Sequence, residues 1–154
     1  MIVAHPSKDL IEAEGTLRTV IETLIDGQEG FQKIAEAIQD EALKHYFLVE
    51  SLKRAEFRGE LENILHQEGV RDIHESGSPA GAFLRLFTGL KAALGAGPHA
   101  LLQSAEEAED ETREAYEQAL DKFLPAPIRE VLIQQAAHIE ASHDRVRAAR
   151  DASA

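Results

Sequence analysis

The chain contains no cysteine and no tryptophan, and only one methionine, two tyrosines and six phenylalanines among its 154 residues. The missing thiols exclude thiolate catalysis, zinc–thiolate sites, iron–sulfur clusters and any disulfide framework. A chain of this length buries a core without such staples, and residues 1–154 are read as a single domain. Cations are scarce as well. Sixteen Lys and Arg against 28 Asp and Glu leave a net charge of −12, a surface that repels phosphate backbones, so nucleic acid is excluded as an expected partner. No apolar run approaches the roughly 18–20 residues of a membrane span. The opening residues lack the basic region and apolar stretch of a secretory signal, and the expected location is the cytoplasm. No Gly-rich phosphate loop, nucleophile elbow or Ser/His/Asp arrangement is visible.

What the chain does have is the helical period, four times over. Leu17, Leu24, Phe31 and Ile38 stand in heptad register, with Val20, Ile21, Ile34 and Ala35 filling the stripe, which predicts a first helix from Ser7 or Thr16 to Gln39, behind an N-terminal segment over 1–15. The second is expected over Glu41–Glu68, ending at Gly69. The third is expected from Pro98, acceptable in a first turn, to Phe123, with Leu101, Ala105, Ala108, Ala115, Ala119 and Phe123 on one face. Leu124-Pro-Ala-Pro breaks it, and Pro127 opens a fourth with Ile128, Leu132, Ile139 and Val146 as its stripe.

Two of the three connections are short, and each predicts an antiparallel hairpin. The long one, residues 70–97, carries turn residues at Ser76–Gly81 and then an amphipathic segment over Ala82–Leu94. Such a segment covers about 20 Å if helical, enough to return the chain toward the other end of the second helix. Two short hairpins and one long crossover predict an all-α, ferritin-like four-helix bundle in which the helices flanking the crossover run parallel. The crossover also bears Phe83, Leu84, Leu86 and Phe87, more apolar side chains than one packing face hides, and a homo-oligomer is expected through it.

The second stripe is interrupted. Leu43, Phe57 and Ile64 share a heptad position that falls on Glu50, and Phe47 and Leu61 share one that falls on Arg54. A carboxylate and a guanidinium facing a core at mid-helix are costly unless paired or used. The same wheel turns Thr112 and Gln135 inward, puts Gln28 near the apolar face, and leaves Glu109 and His143 at its edge. Gln28, Glu50, Arg54, Glu109, Thr112 and Gln135 therefore form an expected polar layer at mid-bundle, with Gln28 and Gln135 satisfying what the Glu50–Arg54 pair leaves over.

Ferritin-like bundles hold two metals at this depth with a Glu from each of two helices and Glu-x-x-His from the other two. Glu140-Ala-Ser-His143 has that spacing, but Glu140 points about a third of a turn off the stripe. The second helix offers Lys53 where a His ligand is needed, and Glu22, Glu29 and Glu36 miss the first helix's core face. Glu50, Glu109 and His143 remain the metal candidates, for iron or manganese, and no cofactor is favoured. The remaining histidines read as solvated or structural, and the acidic run Glu106–Glu111 as a solvated helix face.

The stretch Leu24-Ile-Asp-Gly-Gln-Glu-Gly-Phe31, followed by Ala35-Glu36, is similar to a signature of the bacterial four-helix proteins grouped as domain of unknown function number 2383. Arg54-Ala-Glu-Phe57 with Glu60-Leu61, Gly77-Ser78 with Gly81, Arg85–Lys91, Glu109-Asp110 with Tyr116 and Ala119-Leu120, and His143–Arg147 continue the match in order. The chain departs from it with Leu84 and Phe87 where His and Trp are common, and with Ala108 for a usual Gly. The resemblance implies a ferritin-like fold and a cytoplasmic bacterial protein, with no activity to carry over. Asp26, Arg54, Asp110 and His143 match the family's polar positions. Three functions follow: a non-enzymatic, stress-related helical protein whose polar layer sets register, a metal-binding ferritin-like oxidoreductase, or a partner- or small-molecule-binding module that uses the crossover.

Overall fold

A computed structural model describes residues 7–70 and 93–153. Four helices make up the described residues: α1 (Lys8–Ala37), α2 (Glu41–Gln67), α3 (Pro98–Leu120) and α4 (Ala126–Ala152). Two of them begin on a side-chain cap. The Leu10 amide donates to Ser7 Oγ at 3.1 Å and the Leu43 amide to Asp40 Oδ1 at 2.9 Å, each satisfying an orphan donor of a first turn. The other two carry proline in the first turn, where the missing N–H costs nothing. Gly97, at φ 99°, supplies the left-handed turn into α3.

The chain is an all-α four-helix bundle. Each helix has two neighbours: α1 packs on α2 and α3, and α4 packs on α3 and α2, so α2 and α3 face each other across a diagonal. The core falls into two apolar halves. One joins Leu10–Ile25 of α1 to Phe57, Leu61 and Leu65 of α2, Ala115–Ala119 of α3 and Ile128–Ile139 of α4. The other joins Phe31–Ile38 to Phe47, Leu101–Ala105 and Val146. The start of α3 thus lies beside the start of α2 and the end of α1, and the two helices that flank the long connection run parallel, as the connection lengths require.

Of the two expected starts for the first helix, Ser7 and Thr16, the structure takes the earlier, and the third helix ends sooner than expected. Helix α1 starts at Lys8 with Leu10 and Ala13 fully buried, so most of the supposed N-terminal segment is helix, driven by Ser7's cap and two more apolar anchors. Helix α3 stops at Leu120, where Arg129 Nη1 donates to the Leu120 carbonyl at 3.1 Å and to that of Lys122 at 3.4 Å. Phe123 lies beyond the helix end and is 83% exposed instead of completing the stripe. The amphipathic segment and the apolar crossover residues through which an oligomer was expected lie outside the described residues, except for Ala93 and Leu94.

Leu61 and Leu52 sit on opposite faces of α2, the first wholly buried and the second 70% exposed. Leu61→Ala should cost about 2–5 kcal/mol and Leu52→Ala less than about 0.5 kcal/mol in urea denaturation. Equal losses at the two sites would contradict the orientation of α2.

Candidate functional site

Between the two apolar halves lies a polar layer centred on Arg54, whose side chain is 0% exposed. One turn of α2 separates it from Glu50, and its Nη2 stands 3.2 Å from Glu50 Oε2. The same nitrogen lies 2.5 Å from Glu109 Oε1 on α3, across the bundle diagonal. Ser142 Oγ on α4 is a weaker third partner at 3.4 Å. The guanidinium carbon sits 4.8 Å from the centre of the Phe31 ring on α1, a cation–π arrangement. Gly27 of α1 lies beneath the arginine stem, where a Cβ would meet Nη1 at 3.5 Å. All four helices therefore contribute to one buried cation.

Burial by itself would lower the arginine's pKa, but Glu109 and then Glu50 oppose it, and the net direction is upward. The guanidinium stays charged. It is not fully satisfied: Arg54 Nε and Nη1 and Glu109 Oε2 are buried without a hydrogen bond. Glu50 spends its other oxygen on His138 of α4, whose Nε2 is 2.7 Å from Oε1. A carboxylate only accepts, so that nitrogen carries a proton. His138 stands edge-on to the Phe57 ring at 5.1 Å and is one-third exposed, which makes it the outer member of the layer.

Two tyrosines flank this set. Tyr46 OH and Ser142 Oγ share a hydrogen bond of 2.6 Å, and the Arg145 guanidinium covers the Tyr46 ring at 4.6 Å. Tyr116 OH donates to Gln135 Oε1 at 2.7 Å, while Gln135 Nε2 donates to the Phe57 carbonyl at 3.0 Å. Burial pushes the Tyr46 hydroxyl up to about 12 against the opposing Ser142 bond, with Glu50 and Glu109 adding to the rise. Burial also raises Tyr116 strongly.

Of the residues expected in the layer, Glu50, Arg54, Glu109, Thr112 and Gln135 are buried and Gln28 is half-buried. They are not one network. Gln28 contributes its backbone carbonyl, which accepts from Ser51 Oγ at 2.8 Å, and Thr112 Oγ1 donates to its own helix at Ala108 O. Gln135 is taken by Tyr116 and Phe57, so Glu109, Ser142 and His138 hold the Glu50–Arg54 pair in place of the two glutamines. His138 was missed because it lies off the α4 stripe, and only its position opposite Glu50 across the α2–α4 seam gives it a role. The acidic run is not simply a solvated face either: Glu109 is 0% exposed and Glu106 is buried. His143 is 2% exposed instead of lying at an edge. It does not join Glu50 and Glu109. Its Nε2 meets Asp110 Oδ1 at 2.9 Å and Glu106 Oε1 at 3.8 Å.

The carboxylates that a dimetal centre at this depth would use, Glu50 and Glu109, are both held by Arg54 Nη2, a fixed cation in the place of a metal. The donor set does not fit such a centre. Neither of two clefts, of about 660 Å³ and 360 Å³, is lined by Glu50, Arg54 or Glu109.

Geometry thus defines the class: an all-α bundle whose core is divided by a charged layer. Residues 12–122 match the family described as Domain of unknown function (DUF2383), and the chain belongs to that family. No curated protein matches it. The matched stretch contains Glu50, Arg54 and Glu109, and ends before His138, Ser142 and His143.

With only these two tyrosines in the chain, tyrosinate absorbance tests the burial directly. An ordinary tyrosine ionises near pH 10, whereas the folded protein should show almost no tyrosinate at pH 10.5. Because the folded value lies above the unfolded one, this stability is complete below about pH 10 and is lost as pH rises toward 12. Normal titration of both hydroxyls in a protein still helical by circular dichroism would contradict it.

Proposed function

We propose that the chain is a non-enzymatic helical-bundle protein whose Glu50–Arg54–Glu109 layer sets the register of its two hairpins. The observation that carries this reading is the bridge from Arg54 Nη2 to carboxylates on α2 and α3, at complete burial. These helices lie on a diagonal and do not pack on one another, so the bridge ties one hairpin directly to the other. A slip of one helical turn moves an element about 5.4 Å. An apolar knob finds another hole after such a slip, but Arg54 would lose Glu109, and each would be stranded in an apolar core at a cost of several kcal/mol. Charge in the core thus disfavours wrong registers more than it favours the right one.

Single and compound variants separate this role from a metal-binding one. Glu109→Ala and Glu50→Ala should each destabilise the fold by about 3–5 kcal/mol by leaving charge unpaired. Replacing Glu50, Arg54 and Glu109 together with Leu or Met should restore the stability or exceed it, while amide NMR dispersion falls as alternative registers become populated. A triple variant with fully dispersed spectra and parental helix pairing would remove the register role. Iron or manganese raising the parent's melting temperature, with the shift abolished in a folded Glu109→Gln variant, would replace this reading with a metal-binding one.

A further inference from the structure

A second group of chemistry-bearing side chains lies on the α3–α4 hairpin, beside the Arg54 layer and independent of it. Glu106 and Asp110 are four residues apart on α3 and share a face, and His143 of α4 faces both. We propose that Glu106 Oε1, Asp110 Oδ1 and His143 Nε2 form a mononuclear site for a divalent first-row transition-metal ion.

The distances suit it. His143 Nε2 lies 2.9 Å from Asp110 Oδ1 and 3.8 Å from Glu106 Oε1, and the three donor atoms all lie within 4.8 Å of one another. Ligands about 2.0–2.2 Å from one ion stand about 2.9–3.5 Å apart, from octahedral to tetrahedral geometry, so small side-chain rotations close the set. One imidazole nitrogen with two carboxylate oxygens and no thiolate suits Mn, Fe, Co or Zn. Calcium takes six to eight oxygen ligands at longer range and is poorly served.

The imidazole provides an observation separate from the carboxylates. It is almost wholly buried, and its Nδ1 stands 3.3 Å from Asp144 Oδ1. When the ring proton sits on Nδ1 and is donated to that carboxylate, the Nε2 lone pair is left for an ion between Asp110 and Glu106. Carboxylate, imidazole and metal in line is the arrangement that fixes tautomer and orientation in metal-binding histidines. In the metal-free protein a proton on Nε2 serves the 2.9 Å contact with Asp110, and an arriving ion takes that proton's place.

Of the neighbouring arginines, only Arg113 holds one of the proposed ligand oxygens by a hydrogen bond. Glu106 gives Oε2 to Arg150, while Oε1 is 3.9 Å from Arg147 Nε. Arg113 approaches Asp110 Oδ1 at 3.2 Å but also reaches Glu140 at 3.4 Å. Its side chain is about one-third exposed, so an arriving ion displaces a surface arginine and not a buried one. Asp110 is half exposed and marks the entry side.

The test uses the full chain without a histidine tag, stripped with chelator and dialysed. Cobalt(II), manganese(II) and zinc(II) are added singly and followed by calorimetry, by cobalt visible absorption and by melting temperature. One equivalent of cobalt or zinc should bind and raise the melting temperature. Asp110→Asn, at a half-exposed position that leaves the core intact, should weaken binding by about tenfold or more, as should Glu106→Gln, whereas exposed His45→Gln should leave it unchanged. Absence of uptake at 100-fold excess of every ion, in protein that circular dichroism shows to be folded, would overturn the proposal. Uptake that Asp110→Asn and Glu106→Gln both leave intact would overturn it equally.

Discussion

A guanidinium withdrawn from water imposes conditions on everything around it. Desolvating one such ion costs several kcal/mol even after relaxation, and Arg54 is completely enclosed. The cost is offset because Glu50 stands one turn away on the same helix and Glu109 meets it across the diagonal. Phe31 gives its ring face to the cation, and Gly27 keeps its surface low enough for the arginine stem to cross. These four neighbours come from three helices, and Ser142 adds the fourth. A slip of one helical turn between the hairpins, about 5.4 Å, would part Arg54 from Glu109, which is the basis of the register role proposed for the layer.

The same constraint divides the core. Apolar packing on either side of the layer is continuous within each half but not between them. Large buried side chains such as Leu17, Leu61 and Ile139 in one half, and Phe31, Phe47 and Val146 in the other, supply the apolar burial that offsets chain entropy. The seam between α2 and α4 is the most sparsely packed of the four neighbouring pairs, and polar bonds cross it: Glu50 with His138, Tyr46 and Arg54 with Ser142, and the Phe57 carbonyl with Gln135. The buried carboxylate therefore approaches solvent along this seam, through His138.

How much of this was legible depends on the residue. Glu50 and Arg54 stood out because a heptad stripe makes a charged interruption visible from one helix alone. Glu109 was readable only as an edge residue, since its partner lies on a helix 55 positions away in the chain and neither stripe indicates the other. His138 carried no signal, because it sits off the α4 stripe and acts only through Glu50. His143 was placed at an edge from its own helix, yet the α3 turn carrying Glu106 and Asp110 covers it. Gln28 and Gln135 have the right chemistry and depth, but Gln28 engages only Ser51, through its backbone carbonyl, and Gln135 is taken by Tyr116 and the Phe57 carbonyl of α2.

The sequence by itself determined four amphipathic helices, their two short connections and one long one, the parallel course of α2 and α3, and the fact that charge enters the core at mid-helix. Periodicity, caps and connection length are local properties, readable one helix at a time. Only the tertiary structure decided that Glu109 joins Glu50 on Arg54, which histidine reaches Glu50, and which is enclosed with Glu106 and Asp110. Those choices rest on rotation and depth of whole helices relative to one another, set by packing that no single stripe encodes.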